Sequence, residues 1–224
     1  AAKEDEIADF CSLPFWLYKR LSKSHGRDWV MAYAKASLER PVTWIRAKDS
    51  ADASKWGEPG PVSQSYRATE KGAIPERAGF KEGRFFVQDI SGQFLVSEIC
   101  REVAARYGEK FTVLDLCAAP GGKSLGLSWN GAQVTATDKD ERRFMMLREN
   151  IKRVAPEVQI IEKKQLPGLP AQHLVWVDAP CTGSGIIRRH PDIRWLRREE
   201  DIAKLNSVQK SLCVEGWGKV KSEG

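Results

Sequence analysis

The stretch Val113-Leu114-Asp115-Leu116-Cys117-Ala118-Ala119-Pro120-Gly121-Gly122-Lys123-Ser124 decides how this chain is read. An apolar run leads into small residues and two adjacent glycines. That is the pattern of a buried strand entering a tight turn and then a helix. Glycines there let a ligand approach the free backbone N–H groups at the helix start. Taken alone, Gly121-Gly122 equally suits a plain strand-to-helix turn, so the neighbouring segments must decide.

Downstream, Gln133–Thr137 reads as the next strand and ends at Asp138, sixteen residues after Gly122. This interval suits one helix and a returning strand. An acid at the tip of that strand is placed to accept hydrogen bonds from ribose hydroxyls. The spacing then predicts a helix over 141–153 with Phe144, Leu147, Ile151 and Val154 on one face. Strands follow over 158–161 and 174–177. Upstream, Phe94, Leu95, Ile99 and Val103 mark a helix ending near Gly108. A last helix is expected over 199–216, with acids in its first turn and a stripe of Ile202, Leu205, Val208 and Leu212. Strands alternating with helices imply an α/β fold, a doubly wound, Rossmann-like parallel sheet. Ligands of such sheets lie beyond the carboxyl ends of the strands. The fourth strand runs into Val177-Asp178-Ala179-Pro180-Cys181-Thr182-Gly183-Ser184-Gly185, so Cys181 is expected beside the bound ligand.

The first fifty residues read as helical. Phe15, Trp16, Leu17 and Leu21 recur behind Pro14, and Trp29, Val30, Tyr33 and Ala36 recur after Gly26. Pro41 then precedes a short strand over 42–46. Glycine and proline punctuate 49–84, which reads as loops with one or two short strands. The expected organisation is an N-terminal helical and loop-rich subdomain over 1–84 and a larger α/β domain over 85–224.

The chain has 224 residues, 42% hydrophobic and 29% charged, with a net charge of +6 and a pI near 9.1. This is an ordinary globular composition with a mildly basic balance. No apolar run approaches a membrane span, and no apolar core follows a basic start at the N-terminus. A cytoplasmic protein with no membrane partner is expected. The five cysteines show no Cys-x-x-Cys spacing and the three histidines are scattered. No metal is therefore expected, and the thiols should be reduced. Cys11, Cys100 and Cys213 read as small buried hydrophobes. Arg188, Arg189, Arg194, Arg197 and Arg198 cluster around His190 and Trp195. Arginine binds phosphates and stacks on bases, and Trp offers a stacking face, so the cluster reads either as an RNA contact or as a solvated helix flank.

The strings Asp-Leu-Cys-Ala-Ala-Pro-Gly-Gly-Lys (115–123) and Asp-Ala-Pro-Cys-Thr-Gly-Ser-Gly (178–185) resemble the first and fourth motifs of the RNA cytosine-5 methyltransferases. The tract Ile187-Arg188-Arg189-His190-Pro191-Asp192-Ile193-Arg194-Trp195 is similar to that of the bacterial members acting on small-subunit ribosomal RNA. Gly79–Gly83 with Phe86–Asp89, and Arg40–Arg46, also resemble the family. The NusB-like domain of some relatives has no counterpart here.

The resemblance implies S-adenosyl-L-methionine as cofactor and RNA, ribosomal RNA in particular, as partner of a monomeric enzyme. It implies cofactor contacts at Cys117, Ala118, Ala119, Pro120, Gly121, Gly122, Lys123, Asp138 and Asp178. Catalytic roles fall on Cys181 and Asp178, and RNA contacts on Arg188, Arg189, His190, Arg194 and Trp195. Two departures stand out. The third strand of the family ends in Gly-Asp, whereas Ile161-Glu162-Lys163-Lys164-Gln165 stands here, with Glu162 as the substitute. The family nucleophile lies in a Thr-Cys pair at the end of a fifth strand, and no such pair occurs in this sequence. It is expected beyond Gly224, with Cys181 as the thiol that assists product release. A DNA cytosine-5 methyltransferase using Cys181, and a catalytically incomplete RNA-binding relative, are the alternative readings.

Overall fold

The computed structural model describes residues 3–48, 55–69 and 72–222. Within the expected loop region, 49–54 and 70–71 lie outside the described residues, as do Glu223 and Gly224 of the chain end. The described chain forms two compact units. The first joins 1–41 to 180–210, and the second joins 42–179 to 211–224.

The first unit is helical. Helices α1 (Glu4–Phe10), α2 (Phe15–His25) and α3 (Arg27–Leu38) carry its N-terminal part. Pro14 stands just before α2, where a missing N–H costs nothing. Gly26, with φ of +85°, separates α2 from α3. Ile7, Ala8, Leu13, Leu17, Val30 and Ala34 form a core that Ile187 from the later segment completes.

In the second unit, β1 (Trp44–Ala47), β2 (Gly57–Pro59), β3 (Ser65–Ala68) and β4 (Phe85–Val87) make an antiparallel sheet in the order β2-β3-β1-β4. β4 lies on the far side of the expected boundary between residues 84 and 85, yet pairs with β1 through Arg46 and Phe86. The division between compact units falls instead at 41/42, and the first unit recruits 180–210 from the expected α/β domain.

Helix α4 (Ile90–Tyr107) follows, started by an Asp89 carboxylate that accepts the Ser91 N–H and ended at Gly108, φ +84°. Its buried side is Gln93, Val96 and Cys100. Phe94 and Leu95, expected to mark the apolar stripe, are about half exposed, at 56% and 46%. The second sheet is parallel: β5 (Thr112–Asp115), β6 (Gln133–Ala136), β7 (Gln159–Ile160) and β8 (Leu174–Trp176), in the order β7-β6-β5-β8. Helices α5 (Gly122–Trp129) and α6 (Glu141–Val154) make the crossovers. The Asp140 carboxylate caps α6 by accepting the Arg143 N–H, and Leu147 and Ile151 are buried. This is the expected Rossmann-like sheet. Strand order reverses beside β5, between β6 and β8, which makes the carboxyl ends of β5 and β8 the switch point where ligands of such sheets bind.

A short helix α7 (Ile193–Leu196) and a long α8 (Glu200–Trp217) complete the elements. Of the stripe expected on α8, only Leu212 is fully buried, and Cys213 is exposed rather than packed. Cys11 and Cys100 are buried, as their apolar neighbours imply. After α8, Gln172 and Val220 form a parallel bridge. No described helix is long and apolar enough to cross a membrane.

Gly83 shows how closely the second unit is built. Its φ is +69°, and a Cβ there would stand 1.9 Å from the Arg153 carbonyl oxygen at the end of α6. The Arg153 guanidinium in turn donates to the Phe80 carbonyl at 2.6 Å and to that of Phe85 at 3.2 Å. Gly83→Ala is therefore expected to destabilise the protein by at least about 2 kcal/mol. A urea titration showing less than about 0.5 kcal/mol of loss would contradict this account of the position.

Candidate functional site

The site grows from the end of β5. Val113 and Leu114 are fully buried between neighbouring strands, so the chain leaves the sheet at a fixed point. Asp115 is also fully buried. Its Oδ2 accepts from the Ser124 hydroxyl at 2.7 Å, while Oδ1 has no protein partner. Burial pushes its carboxyl up to about 7, against the pull of the Ser124 hydrogen bond and of Lys123.

The turn from Leu116 to Gly121 is tied down from several sides. The Leu116 N–H donates to the Trp176 carbonyl of β8 at 3.0 Å, and the Ala118 N–H to that of Thr137 at 3.0 Å. Gly121 adopts φ of +114°, which a side chain would resist, and starts α5. The Ala119 and Pro120 carbonyls accept from Arg143 and Asn150 of α6. Neither residue carries a sequence signal: on α6 they look like ordinary solvated positions, and only the packing of α6 beside the turn gives them a task.

Asp138 stands at the tip of β6, as its spacing implies, but its carboxylate is nearly inaccessible and already employed. Oδ2 accepts the Ala119 N–H at 3.2 Å and Oδ1 the Asp140 N–H at 3.0 Å. Each oxygen keeps a second lone pair for a ligand. A cavity of about 380 Å³ opens beside it, lined among others by Lys139, Phe144, Met145, Glu162 and Lys163. The register after the third strand is fixed by the Ile161 N–H, which donates to Ala136 at 3.1 Å. Glu162 thus follows the last paired residue, on the cavity rim. It ion-pairs with Lys164 at 2.6 Å, which holds its carboxyl below the usual range, and Lys163 pairs with Glu215 at 2.6 Å.

Lys123 and Asp178 lie far apart in sequence and meet in the structure. Parallel pairing of β5 with β8 brings the two strand ends together, and Lys123 Nζ lies 2.5 Å from Asp178 Oδ2. Both side chains are partly open to solvent, at 31% and 53%, so the pair is screened and adds little stability. Cys117, within the turn, is half-buried. Burial, then the carboxylates of Asp138 and Asp115, push its thiol up to about 11. It stays protonated near neutrality and is a poor nucleophile.

Within the first unit, Cys181 is exposed. Trp195 is 67% exposed, and Arg189 and His190 are exposed as well. Arg188 is held by the Glu39 carboxylate and by the carbonyls of Glu39 and Arg40. Arg194 departs from expectation. It is 4% exposed, and donates to the Ser37 hydroxyl at 2.7 Å, the Ser37 carbonyl at 3.2 Å and the Ser12 carbonyl at 3.4 Å. A guanidinium so enclosed ties α7 to the segments after α1 and at the end of α3, and is closed to RNA.

The 16S rRNA methyltransferase RsmB/F family model matches residues 104–224, just over half of the chain. The ribosomal RNA small subunit methyltransferase B of Citrobacter koseri is 38% identical over 94% of this chain and 52% of its own length. The protein of that name from an Escherichia coli strain is 34% identical over 99% of this chain and 54% of its own. The chain thus spans about half the length of the curated relatives it matches. Among solved structures, a methyltransferase homologue from Pyrococcus horikoshii superposes with a TM-score of 0.75 at 21% identity, covering 100% of this chain and 75% of that one. NSun6 of the same organism gives 0.56 at 23% identity, over 72% and 44%. These two likenesses support the fold alone.

Two outcomes test this electrostatic description. Asp115 has a folded-state carboxyl raised to about 7, above its unfolded value. Between about pH 4 and pH 7 the folded state therefore holds the extra proton, and stability falls as pH rises through that window. Asp115→Asn, which keeps the Ser124 hydrogen bond without a charge, should gain stability relative to the parent between pH 5 and pH 8. Equal shifts at both pH values in urea titrations would refute the raised carboxyl. In native protein at pH 8, iodoacetamide should modify Cys181 and Cys213 and spare Cys11, Cys100 and Cys117, as read by mass spectrometry. Rapid labelling of Cys117 would show that its thiol is not held protonated.

Proposed function

The chain belongs to the 16S rRNA methyltransferase RsmB/F family, and from that membership we propose that it forms the cofactor site and part of the catalytic apparatus of an enzyme that methylates C5 of a cytosine in ribosomal RNA. The observation that carries the proposal is the Lys123–Asp178 pair at the switch point, which joins the glycine turn to the residues that end β8. Methyl donation by S-adenosylmethionine fits the residues present. Gly121 and Gly122 leave the start of α5 free of side chains, Asp115 Oδ1 is a buried acceptor without a protein partner, and the cavity beside Asp138 has room for a nucleoside part. Residues 117–123 would hold the amino-acid end, and Asp138 would take ribose hydroxyls. Glu162, with the cation pair Lys163 and Lys164, would edge the base, in place of Gly-Asp. When bound, the cofactor supplies a methyl group on a positively charged sulfur.

Cytosine C5 is a weak nucleophile until a thiolate adds to C6 of the ring. C5 then takes the methyl group, its proton leaves to a base, and expulsion of the thiolate restores the ring. In this reading the attacking thiol belongs to a Thr-Cys pair on a fifth strand. The isolated parallel bridge between Gln172 and Val220, beside the approach to β8, supports that placement. Cys181, exposed and three residues past Asp178, assists release of the product. Lys123 and Asp178 orient the flipped base through its polar edge.

RNA contact is assigned to the first unit: Arg188, Arg189, His190 and Trp195, with Arg194 serving the fold instead. A groove lined by Trp16, Lys19 and Lys23, with Glu4 and Glu199, shares Trp16 with a second lined by Trp195, Arg197 and Arg198, with Glu199 and Glu200, so rings and cations there alternate with acids. A cytoplasmic setting belongs to the same reading.

The test is methyl transfer from labelled S-adenosylmethionine to small-subunit ribosomal RNA by the full-length protein, with the product read as 5-methylcytosine. Lys123→Met should lower kcat roughly 100-fold and also weaken cofactor binding by calorimetry. Methylation at another atom, or no cofactor binding by the parent protein, would sink the proposal.

A further inference from the structure

The segment from Pro180 to Gly183 has no regular structure and Ser184 opens a single 3-10 turn over Ser184–Ile186, yet the carbonyls of Pro180, Thr182 and Ser184 are each held by a different side chain. Gln209 of α8 donates to the Pro180 carbonyl at 2.9 Å. Arg197, just after α7, donates through Nε to the Thr182 carbonyl at 2.9 Å. The Tyr33 hydroxyl of α3 donates to the Ser184 carbonyl at 2.8 Å. All three donors belong to the first unit, as does the loop. The bonds alternate along the backbone, at residues 180, 182 and 184, and Cys181 lies between the first two.

The pattern has a geometric consequence. In a planar trans peptide, the C=O of one residue and the N–H of the next point in opposite directions. Fixing the Pro180 carbonyl therefore fixes the direction of the Cys181 N–H. Fixing the Thr182 carbonyl sets the peptide plane that follows. The Cα of Cys181 thus lies on one anchored plane, Pro180–Cys181, and the chain is anchored again at the Thr182–Gly183 plane, so only the Cys181–Thr182 peptide between them can swing, which narrows the directions open to the thiol.

The supports are themselves held in place. The Tyr33 ring stacks on Trp29 at 5.4 Å and 6°, and Trp29 stacks on His25 at 4.3 Å. Burial pushes the Tyr33 phenol up, so it remains a donor. Gly183 has φ of +76°, and a Cβ there would lie 2.9 Å from Ile193 Cδ1. The Thr182 hydroxyl accepts the Ser184 N–H at 3.4 Å. Sequence patterning flags none of this: Tyr33 and Gln209 sit on helices as apparent core or flank residues, and Arg197 reads as one more cation in a basic run.

We propose that Tyr33, Arg197 and Gln209 are positioning residues for Cys181, acting by holding alternate carbonyls of its loop so that the thiol is presented in one direction. The proposal rests on the release role given to Cys181 above. It adds that this role depends on three side chains of the first unit that bond the backbone of the Cys181 loop.

The experiment uses the full-length protein with a nitroxide label on Cys181, Cys213 being replaced by serine. Tyr33→Phe, Arg197→Leu and Gln209→Leu each remove one donor, and thermal melts identify any variant that fails to fold. Each is expected to increase label mobility in electron spin resonance spectra, whereas a label on Cys213 in a Cys181→Ser background should not respond. In unlabelled protein the same substitutions should lower kcat for methylation about fivefold or more, with KM for RNA unchanged in Tyr33→Phe and Gln209→Leu. Arg197→Lys, which keeps a donor, should restore part of both losses. If all three variants fold and leave label mobility at the parent level while Cys181→Ser still slows turnover, the positioning proposal is overturned and the release role stands. If mobility rises but kcat holds, and Cys181→Ser turns over normally, the release role is wrong and positioning for it falls too.

Discussion

Strand β5 is hydrogen-bonded on both sides, to β6 from Thr112 to Asp115 and to β8 from Val113 to Asp115. That double pairing is the constraint from which the rest of the site follows. It fixes where the chain leaves the sheet, so the glycine turn opens at the switch point. It aligns the tip of β6, where Asp138 reaches the Ala119 N–H. It also carries the end of β8 close enough for Lys123 to meet Asp178. Val113 and Leu114, with no exposed surface, anchor the arrangement, and truncating Leu114 to Ala would cost about 2–5 kcal/mol.

Around that point the structure separates acidic groups by environment. Asp115 is enclosed and resists ionisation, while Asp178 is open and paired with a lysine. Asp138 lies between these extremes, inaccessible but satisfied by two backbone N–H groups. The same field acts on the thiols. Cys117 shares the turn with Asp115 and Asp138 and is held protonated, whereas Cys181 is exposed on a loop of the other unit. Of the two cysteines in the signature segments, Cys181 is exposed and Cys117 half-buried, a division that the two motifs do not reveal by themselves.

The arginines between residues 188 and 198 look alike in sequence and do different work. Arg194 is enclosed and bonded to Ser12 and Ser37, which makes it part of the fold. Arg188 is anchored by Glu39 and Arg40 with part of its surface open. Arg197 supports the Cys181 loop. A run of cations thus reads as one patch only until burial and partners are known, because charge density along a chain says nothing about which guanidinium faces water.

The amino-acid sequence by itself determined the strands and helices of the parallel sheet and their order. The apolar runs around 113, 134 and 175, the glycines at 121 and 122, and the acids at 138 and 178 need only local periodicity and turn chemistry to be recognised. The motif strings also pointed to the family, since residue types in that spacing are themselves the signal. Only the tertiary structure decided which side of α4 is buried, that β4 completes the sheet begun before residue 84, and that 180–210 packs with the N-terminal helices. It alone brought Lys123 to Asp178, buried Arg194, and set Tyr33, Arg197 and Gln209 on the carbonyls of the Cys181 loop. The physical reason is the range of the forces. Backbone preference and side-chain periodicity act over a few residues and are written along the chain. Burial, hydrogen-bond partners and carboxyl shifts depend on groups distant in sequence, and exist only once the strands have paired.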